Sequence, residues 1–267
     1  MSKKLIALDA GHGMKTEGKR CLKSIDPAQT REWQLNDRIA DMVGGRLAAY
    51  DCQLLRVDDT TGVKDISLAA RVKAANNSNA DIYVSIHHNA GINGGTGGGT
   101  VVYYYSGDPV REKQAKRLYD LIVCRTQLRG NRSSKVIKKG FYVIKNTKMP
   151  AFLIENGFMD SKTDVPIILT EAHAEKTAKG IVEFLVDTLK LSKKNTGTSE
   201  VQSSAYYPAY TGKKTTLSAA LTSLGINSTY AFRKQIAVVN SITGYTGTAT
   251  QNTRMYNLLV AGLLLKA

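Results

Sequence analysis

Short apolar runs alternate with longer stretches of helical periodicity over the first 191 residues. The apolar runs are rich in Ile, Val, Leu and Tyr and predict buried strands at residues 4–9, 53–57, 81–87, 100–105, 141–144 and 151–155. Between them, Leu35, Ile39 and Val43 mark one face of a helix, and Ile181 and Leu185 mark the last helix before residue 191. This alternation predicts an α/β fold with a mostly parallel central sheet flanked by helices.

The composition changes after residue 191. The next stretch reads SKKNTGTSEVQSSA, which is polar and without periodicity, and it predicts a linker. From residue 201 to 267 there is no Asp or Glu, but there are six Lys or Arg and six of the chain's 13 tyrosines. Helices are predicted there at about 216–224, 231–240 and 251–265. We therefore predict a first domain at 1–191, a linker at 192–205 and a small, mainly helical domain at 206–267.

The overall composition is that of a folded and strongly basic protein. Hydrophobic residues make up 42% and charged residues 22% of the 267 residues, which supplies a core and gives no case for disorder. The 37 Lys and Arg exceed the 22 Asp and Glu, so the net charge is +15, spread as single residues and short pairs. Such a surface attracts any polyanion, including nucleic acid and an anionic cell wall. Charge alone leaves both partners open.

No segment predicts export, membrane insertion or a disulfide framework. The longest apolar run, at 258–265, falls well short of the roughly 20 residues that a membrane span needs. The apolar stretch at 5–8 is too short for a signal peptide, so we expect synthesis in the cytoplasm and no membrane insertion. Cys21, Cys52 and Cys124 are widely spaced and odd in number, which argues against both disulfides and a zinc site made of cysteines alone.

Side chains that can bind metals lie at or just beyond the ends of three predicted strands. His12 lies in DAGHG, His87 and His88 lie in SIHHNA, and Glu155 lies in LIENGF. Because sites in parallel sheets form at the carboxyl ends of the strands, these motifs are expected to meet in space. Each residue alone also fits an ordinary turn or hydrogen-bonding role. Together, two histidines and carboxylates at one edge suit a catalytic zinc with three protein ligands and an open position.

These motifs, with REWQLN, the stretch SLAARVKAANNSNADIYVSIHHNA and AFLIENGFMD, resemble the zinc-dependent N-acetylmuramoyl-L-alanine amidases of the amidase-3 type over nearly the whole first domain. The resemblance implies that His12, Glu32 and His87 bind Zn²⁺. It implies that Glu155 is the catalytic residue, which takes a proton from the attacking water and passes it to the leaving nitrogen. His88 falls at the variable position of its motif and receives no role.

Other residues are expected to have structural roles. Arg71 and Asn76 match the family pattern and are expected to link a helix to the sheet. Residues 94–99, GGTGGG, precede a strand and lack a following Lys-Ser/Thr, which predicts a flexible loop at the rim of the site rather than a phosphate-binding loop. Residues 14–31 depart from the family's commoner continuation after the first histidine.

The C-terminal segment resembles, over about 60 residues, the cell-wall-binding modules of clostridial-type phage lysins. The resemblance lies in AYYP, YAFRKQIA and GYTGT, which begin at residues 205, 230 and 244. Aromatic and cationic residues without acidic ones suit carbohydrate stacking and anionic polymers, and they suit nucleic acid equally. The neighbouring hydrolase favours the cell wall.

The sequence thus predicts a phage endolysin that cleaves the amide between N-acetylmuramic acid and L-alanine. It would be made in the host cytoplasm and act on the cell wall after release, with peptidoglycan and a wall polymer as partners and no nucleic acid. The alternatives are a host autolysin or spore-lysis amidase, a non-catalytic cell-wall-binding protein and, third, a DNA-binding regulator. Intact His12, His87 and Glu155 argue against a non-catalytic protein.

Overall fold

The computed structural model describes residues 3–194 and 206–267. The chain divides into two compact units, residues 1–195 and 196–267. Most of the predicted linker, residues 195–205, lies outside the described residues. The first three residues of the predicted linker, 192–194, belong to the first unit. The Ser192 carbonyl accepts from the Asp51 amide at 2.9 Å, and the Lys194 amide donates to the Ala49 carbonyl at 3.0 Å.

A six-stranded sheet forms the centre of the first unit, in the order β2-β1-β3-β6-β4-β5. All neighbouring strands pair in parallel except β4 and β6, which are antiparallel. The predicted α/β fold with a mostly parallel sheet is therefore confirmed. The strands are β1 Lys4–Ala10, β2 Cys52–Arg56, β3 Ile82–Asn89, β4 Thr100–Tyr104, β5 Val136–Lys138 and β6 Ala151–Phe158.

Helices cover both faces of this sheet. The long helices α1, α3 and α6 pack on one face, against alternate strand residues such as Leu8 and Ile86. The shorter α2 and α4 pack on the other, against Ala7 and Tyr83. No helix within the described ranges is both long and apolar enough to cross a membrane. The helices of this unit are α1 Glu32–Leu47, α2 Leu68–Asn77, α3 Pro109–Thr126, α4 Tyr142–Asn146, α5 Val165–Ile168 and α6 Glu171–Leu189.

One strand prediction is wrong. Residues 142–144 belong to the helix α4, which Phe141 precedes, and the fifth strand is instead the three-residue β5, earlier in the chain. Val143 and Ile144 are adjacent apolar residues that suit a strand, but both are buried with Val72 and Ala75 of α2. Packing against α2 outweighs the intrinsic strand preference of these residues.

The register of the sheet brings three strand ends together. Ala10 at the end of β1 pairs with Ile86 of β3, and His87 of β3 pairs with Glu155 of β6. Each of these strands is followed by a loop on the same edge, because the three run in parallel. This edge carries the candidate site.

The second unit is helical, as predicted, with α7 Leu217–Ser223, α8 Tyr230–Val239 and α9 Ala249–Val260. Each helix begins after a threonine whose side chain accepts a hydrogen bond from the backbone of the first turn. Leu221, Ile236 and Met255, one from each helix, are fully buried in one apolar cluster. The last helix ends five residues earlier than predicted, and Leu265 beyond it forms a bridge with Tyr206 instead.

Candidate metal centre and active site

Three predicted ligands meet at the carboxyl edge of the sheet. His12 lies in the loop after β1, His87 lies near the end of β3, and Glu32 is the first residue of α1. One potential ligand atom from each lies within 4.8 Å of the other two. The two imidazole rings stand at 90° with their centroids 5.0 Å apart. These three residues could hold a metal ion, and two imidazoles with one carboxylate are a donor set that catalytic zinc sites use.

Glu32 links the two histidines. Its Oε1 accepts from His87 Nδ1 at 3.0 Å and from the His88 amide at 3.2 Å, and its Oε2 lies 3.3 Å from His12 Nε2. Burial opposes ionisation of this carboxyl group, but its electrostatic interactions with the two histidines prevail and lower its pKa. Oε2 is buried and has no partner with hydrogen-bond geometry among the described residues. An ionised carboxylate with an oxygen still available for bonding fits a metal ligand.

The backbone at His12 is held by a buried ion pair. His12 has a left-handed backbone, with φ at 68°. Arg71 of α2 donates to the carbonyls of His12 at 3.0 Å and Ala10 at 2.8 Å, and it also bonds Asp9. Asp9 in turn accepts from the Ser85 hydroxyl at 2.7 Å. The expected structural role of Arg71 thus includes fixing the loop that carries the first candidate ligand.

His88 faces away from the three ligands. Its Nδ1 donates to Asn36 Oδ1 at 2.8 Å, and Asn36 Nδ2 donates to the Gly11 carbonyl at 3.1 Å. All of this lies buried beneath the site, and burial is the main cause of the lowered pKa of His88. The two adjacent histidines therefore have different roles. His87 is a candidate ligand, and His88 connects β3 through Asn36 to α1 and to the turn after β1. This role of Asn36 has no signal in the sequence beyond its place on the inner face of α1, which indicates burial.

Glu155 lies beside the three ligands and outside their cluster. It pairs with His87 across β3 and β6, and its Oε2 is buried with no hydrogen-bond partner in the described part of the chain. Burial raises the pKa of Glu155 to about 8, and the charge of His87 only partly opposes this shift. A carboxylate that accepts protons near neutral pH suits general base chemistry.

The glycine-rich rim is fastened by two aspartates. Asp160 Oδ2 accepts from three consecutive backbone amides, those of Gly91, Ile92 and Asn93, at 2.7–2.8 Å. Asp164 Oδ2 accepts from the Gly99 amide at 2.7 Å. The loop at 94–99 was expected to be flexible; these bonds fix the three residues before it and its last glycine. Asn76 was expected to link a helix to the sheet, but it donates to the Asn146 carbonyl at 3.0 Å and so joins α2 to α4.

Comparison with known proteins identifies the family. Residues 6–187 match the family Amidase_3, described as N-acetylmuramoyl-L-alanine amidase, and the chain belongs to this family. It is similar to the N-acetylmuramoyl-L-alanine amidase CwlM of Bacillus licheniformis, at 31% identity over 206 residues and 75% of each chain. It is also similar to the endolysin of Bacillus phage SPP1, at 31% identity over 198 residues, which cover 73% of this chain and 70% of that protein.

A solved structure agrees with this assignment. The crystal structure of an N-acetylmuramoyl-L-alanine amidase from Clostridium difficile 630 superposes with a TM-score of 0.63 at 28% identity, covering 74% of this chain and 100% of that one. The predicted fold and enzyme class are confirmed: the protein is an N-acetylmuramoyl-L-alanine amidase that acts on peptidoglycan.

Proposed function

We propose that the protein is a zinc-dependent endolysin whose first unit cleaves the amide between N-acetylmuramic acid and L-alanine. The observation that carries the proposal is the cluster of His12, Glu32 and His87, with Glu155 on the neighbouring strand. This cluster lies within the stretch that matches the amidase family.

The three clustered residues would hold the zinc ion. Their fit rests on the donor set and on the buried oxygen of Glu32 that has no hydrogen-bond partner in the described residues. When bound, zinc supplies Lewis acidity to water and to the amide carbonyl. Arg71 and Asn36 would support the site by fixing the loop at His12 and the backbone at Gly11.

Glu155 would transfer a proton from the attacking water to the leaving nitrogen. Its raised pKa favours capture of a proton from the attacking water, and the resulting acid can pass that proton to the amide nitrogen as the bond to carbon breaks. The leaving group then departs as a neutral amine of the stem peptide. Glu155 acts in this scheme without binding the metal.

The second unit would carry the enzyme to the wall through residues 206–267. This targeting role is supported by the composition of the second unit, which has no Asp or Glu and contains six tyrosines.

Similarity to a phage endolysin supports the lytic role, whereas similarity to the bacterial amidase CwlM supports an autolysin equally. The two roles differ in how the enzyme reaches the wall. In the endolysin role, expression in the cytoplasm of a susceptible host is expected to cause lysis only with a co-expressed pore-forming protein, and lysis without that protein would favour the autolysin.

The chemistry is tested by mass spectrometry of purified peptidoglycan after digestion. We expect free stem peptides beginning with L-alanine, and no such products after zinc is chelated. Glu155→Gln should keep its zinc and lose about 100-fold or more in turnover. His87→Ala should lose zinc, whereas the matched change His88→Ala should retain it. Undiminished zinc in His87→Ala would contradict the ligand assignment, and loss of zinc in Glu155→Gln would make that residue a ligand.

A further inference from the structure

An exposed tyrosine ring on the second unit is held in one orientation. Tyr230, the first residue of α8, is 49% exposed, although its ring stacks on that of the buried Tyr245 with centroids 5.7 Å apart and 27° between the planes. Its hydroxyl donates to the Tyr245 carbonyl at 3.3 Å. A Cβ at Gly247 would lie 3.2 Å from the ring, so only a glycine leaves this approach undisturbed. The ring is thus fixed on the side of Tyr245, while about half of the Tyr230 residue stays exposed to solvent.

The ring beneath is fixed as well. Arg233 Nε donates to the Tyr245 hydroxyl at 3.0 Å, and that hydroxyl donates to Asn252 Oδ1 at 2.6 Å. The same guanidinium bonds the Ser228 carbonyl before α8. These bonds join α8, α9 and the loop between them. Binding of a ligand to Tyr230 would therefore cost little conformational entropy, because the side chains beneath it are already held in place.

Positive charge lies on the same side of α8. Arg233 and Lys234 follow Tyr230 by three and four residues, which places them on one helix face. Lys234 is exposed. The sequence from 206 to 267 contains no Asp or Glu that would neutralise these cations. The surface therefore combines an aromatic platform with an unopposed positive field, which suits a ring-shaped ligand next to a negative group.

We infer that Tyr230, with Arg233 and Lys234, binds a sugar ring of an anionic cell-wall glycan. The inference rests on the proposed wall-targeting function and gives it a site. The shared chemistry is the apolar face of a pyranose ring beside a carboxylate or phosphate. Two sources supply it: the glycan strands of peptidoglycan, beside the carboxylates of the attached stem peptides, and a phosphate-bearing wall polymer. The amidase unit on the same chain favours a wall glycan over nucleic acid.

The test uses the full chain carrying Glu155→Gln, so that the wall is not digested during the measurement. Binding is measured by co-sedimentation with purified sacculi, before and after acid removal of phosphate-bearing polymers. Adding Tyr230→Ala is expected to weaken binding about tenfold or more, because the platform is lost. Tyr230→Phe keeps the ring and should stay within about threefold. Loss of binding after acid treatment assigns the phosphate-bearing polymer, and retained binding assigns the glycan strands.

Two controls separate the platform from other effects. Tyr142→Ala removes a tyrosine of similar exposure, 46%, from the first unit and should leave sedimentation unchanged. In the catalytically intact chain, Tyr230→Ala should cleave soluble muropeptides at the unaltered rate, because the candidate ligands all lie in the other unit. If Tyr230→Ala unfolds the second unit, binding is tested with Tyr230→Trp instead. The fluorescence of the new tryptophan should change when soluble glycan chains are added, and an unchanged signal would count against the site.

Equal sedimentation with and without Tyr230→Ala would overturn this inference and leave wall targeting intact. Failure of the full Glu155→Gln chain to sediment at all would overturn wall targeting and this site together, while the amidase assignment would stand on its products. A shift of duplex DNA that disappears with Tyr230→Ala, without binding to sacculi, would overturn the glycan inference and assign the platform to nucleic acid.

Discussion

Gly11 leaves room for the His87 imidazole. A Cβ built at Gly11 would overlap three atoms of that ring, so any other residue must displace His87 or the turn after β1. The Gly11 carbonyl also accepts from Asn36, which restricts how far the turn can move. The close approach of β1 and β3 therefore sets the position of a candidate ligand through the absence of a side chain.

Gly11→Ala is accordingly expected to weaken zinc binding about tenfold or more without unfolding the protein, since the supporting shell of a metal site commonly has effects of this size. Zinc content after dialysis against a competing chelator measures the effect, and urea unfolding of the metal-free protein checks the fold. Gly107→Ala is the matched control, because its Cβ would meet nothing closer than Lys138 Nζ at 3.8 Å. Equal zinc retention in the two variants would refute this account of the site.

The candidate site residues differ in how far the sequence alone predicts them. His12, His87 and Glu155 lie at or just beyond the ends of predicted strands, so the rule that sites form at carboxyl strand ends brings them together without any structure. Glu32 has no such signal, because a glutamate at the start of a helix is ordinary. Its place was implied only by family resemblance. The hydrogen bonds of Arg71 to the His12 carbonyl and of Asn36 with His88 depend on tertiary packing, which no local sequence pattern encodes.

At the scale of elements, length decides what a pattern can predict. The strands β1, β3 and β6 are buried runs of seven or eight residues and are evident from the sequence. The edge strand β5 has only three residues, flanked by lysines, and gives no periodic signal. The five-residue α4 is misread as a strand because Val143 and Ile144 carry strand preferences that packing against α2 overrides.

Helix α6 contains a buried histidine that should make the fold sensitive to acid. His173 is 3% exposed, its Nδ1 has no hydrogen-bond partner among the described residues, and its Nε2 lies 3.5 Å from the Thr177 hydroxyl. Burial, aided by the charges of Arg38 and Lys176, lowers the pKa of His173 from 6.5 to about 4. The unfolded chain therefore binds a proton at this residue more readily than the folded chain between these two pH values.

Stability is expected to fall as the pH drops from 6.5 towards 4, with His173 contributing a loss of about 2–3 kcal/mol in the free energy of unfolding. His173→Gln, which cannot be protonated, should remove that part of the pH dependence. Urea unfolding at pH 7 and pH 4.5 measures it. Thr177→Val changes the neighbouring side chain and should keep the full acid sensitivity. Parallel pH curves for His173→Gln and the unaltered protein would show that this histidine does not titrate as described.

At the scale of the whole molecule, all candidate catalytic residues lie in one compact unit and the tyrosine platform lies in the other. The hydrogen bond from the Lys194 amide to the Ala49 carbonyl marks the last described contact of the first unit. A chain ending at Lys194 keeps this contact, whereas one ending at Leu191 loses it. Truncation after Lys194 therefore removes the second unit and keeps the described contacts of the first.

A chain truncated after Lys194 should cleave soluble muropeptides within about twofold of the full-length rate, since it retains the whole candidate site. Against intact cell walls it should be at least about tenfold slower, because it loses the high effective concentration that a linked binding unit provides. Release of stem peptides measures both rates, and circular dichroism checks the fold. Residues 206–267 supplied as a separate polypeptide should not restore activity on walls, because the gain depends on covalent linkage. Full activity of the truncated enzyme on intact walls would remove the targeting role from the second unit.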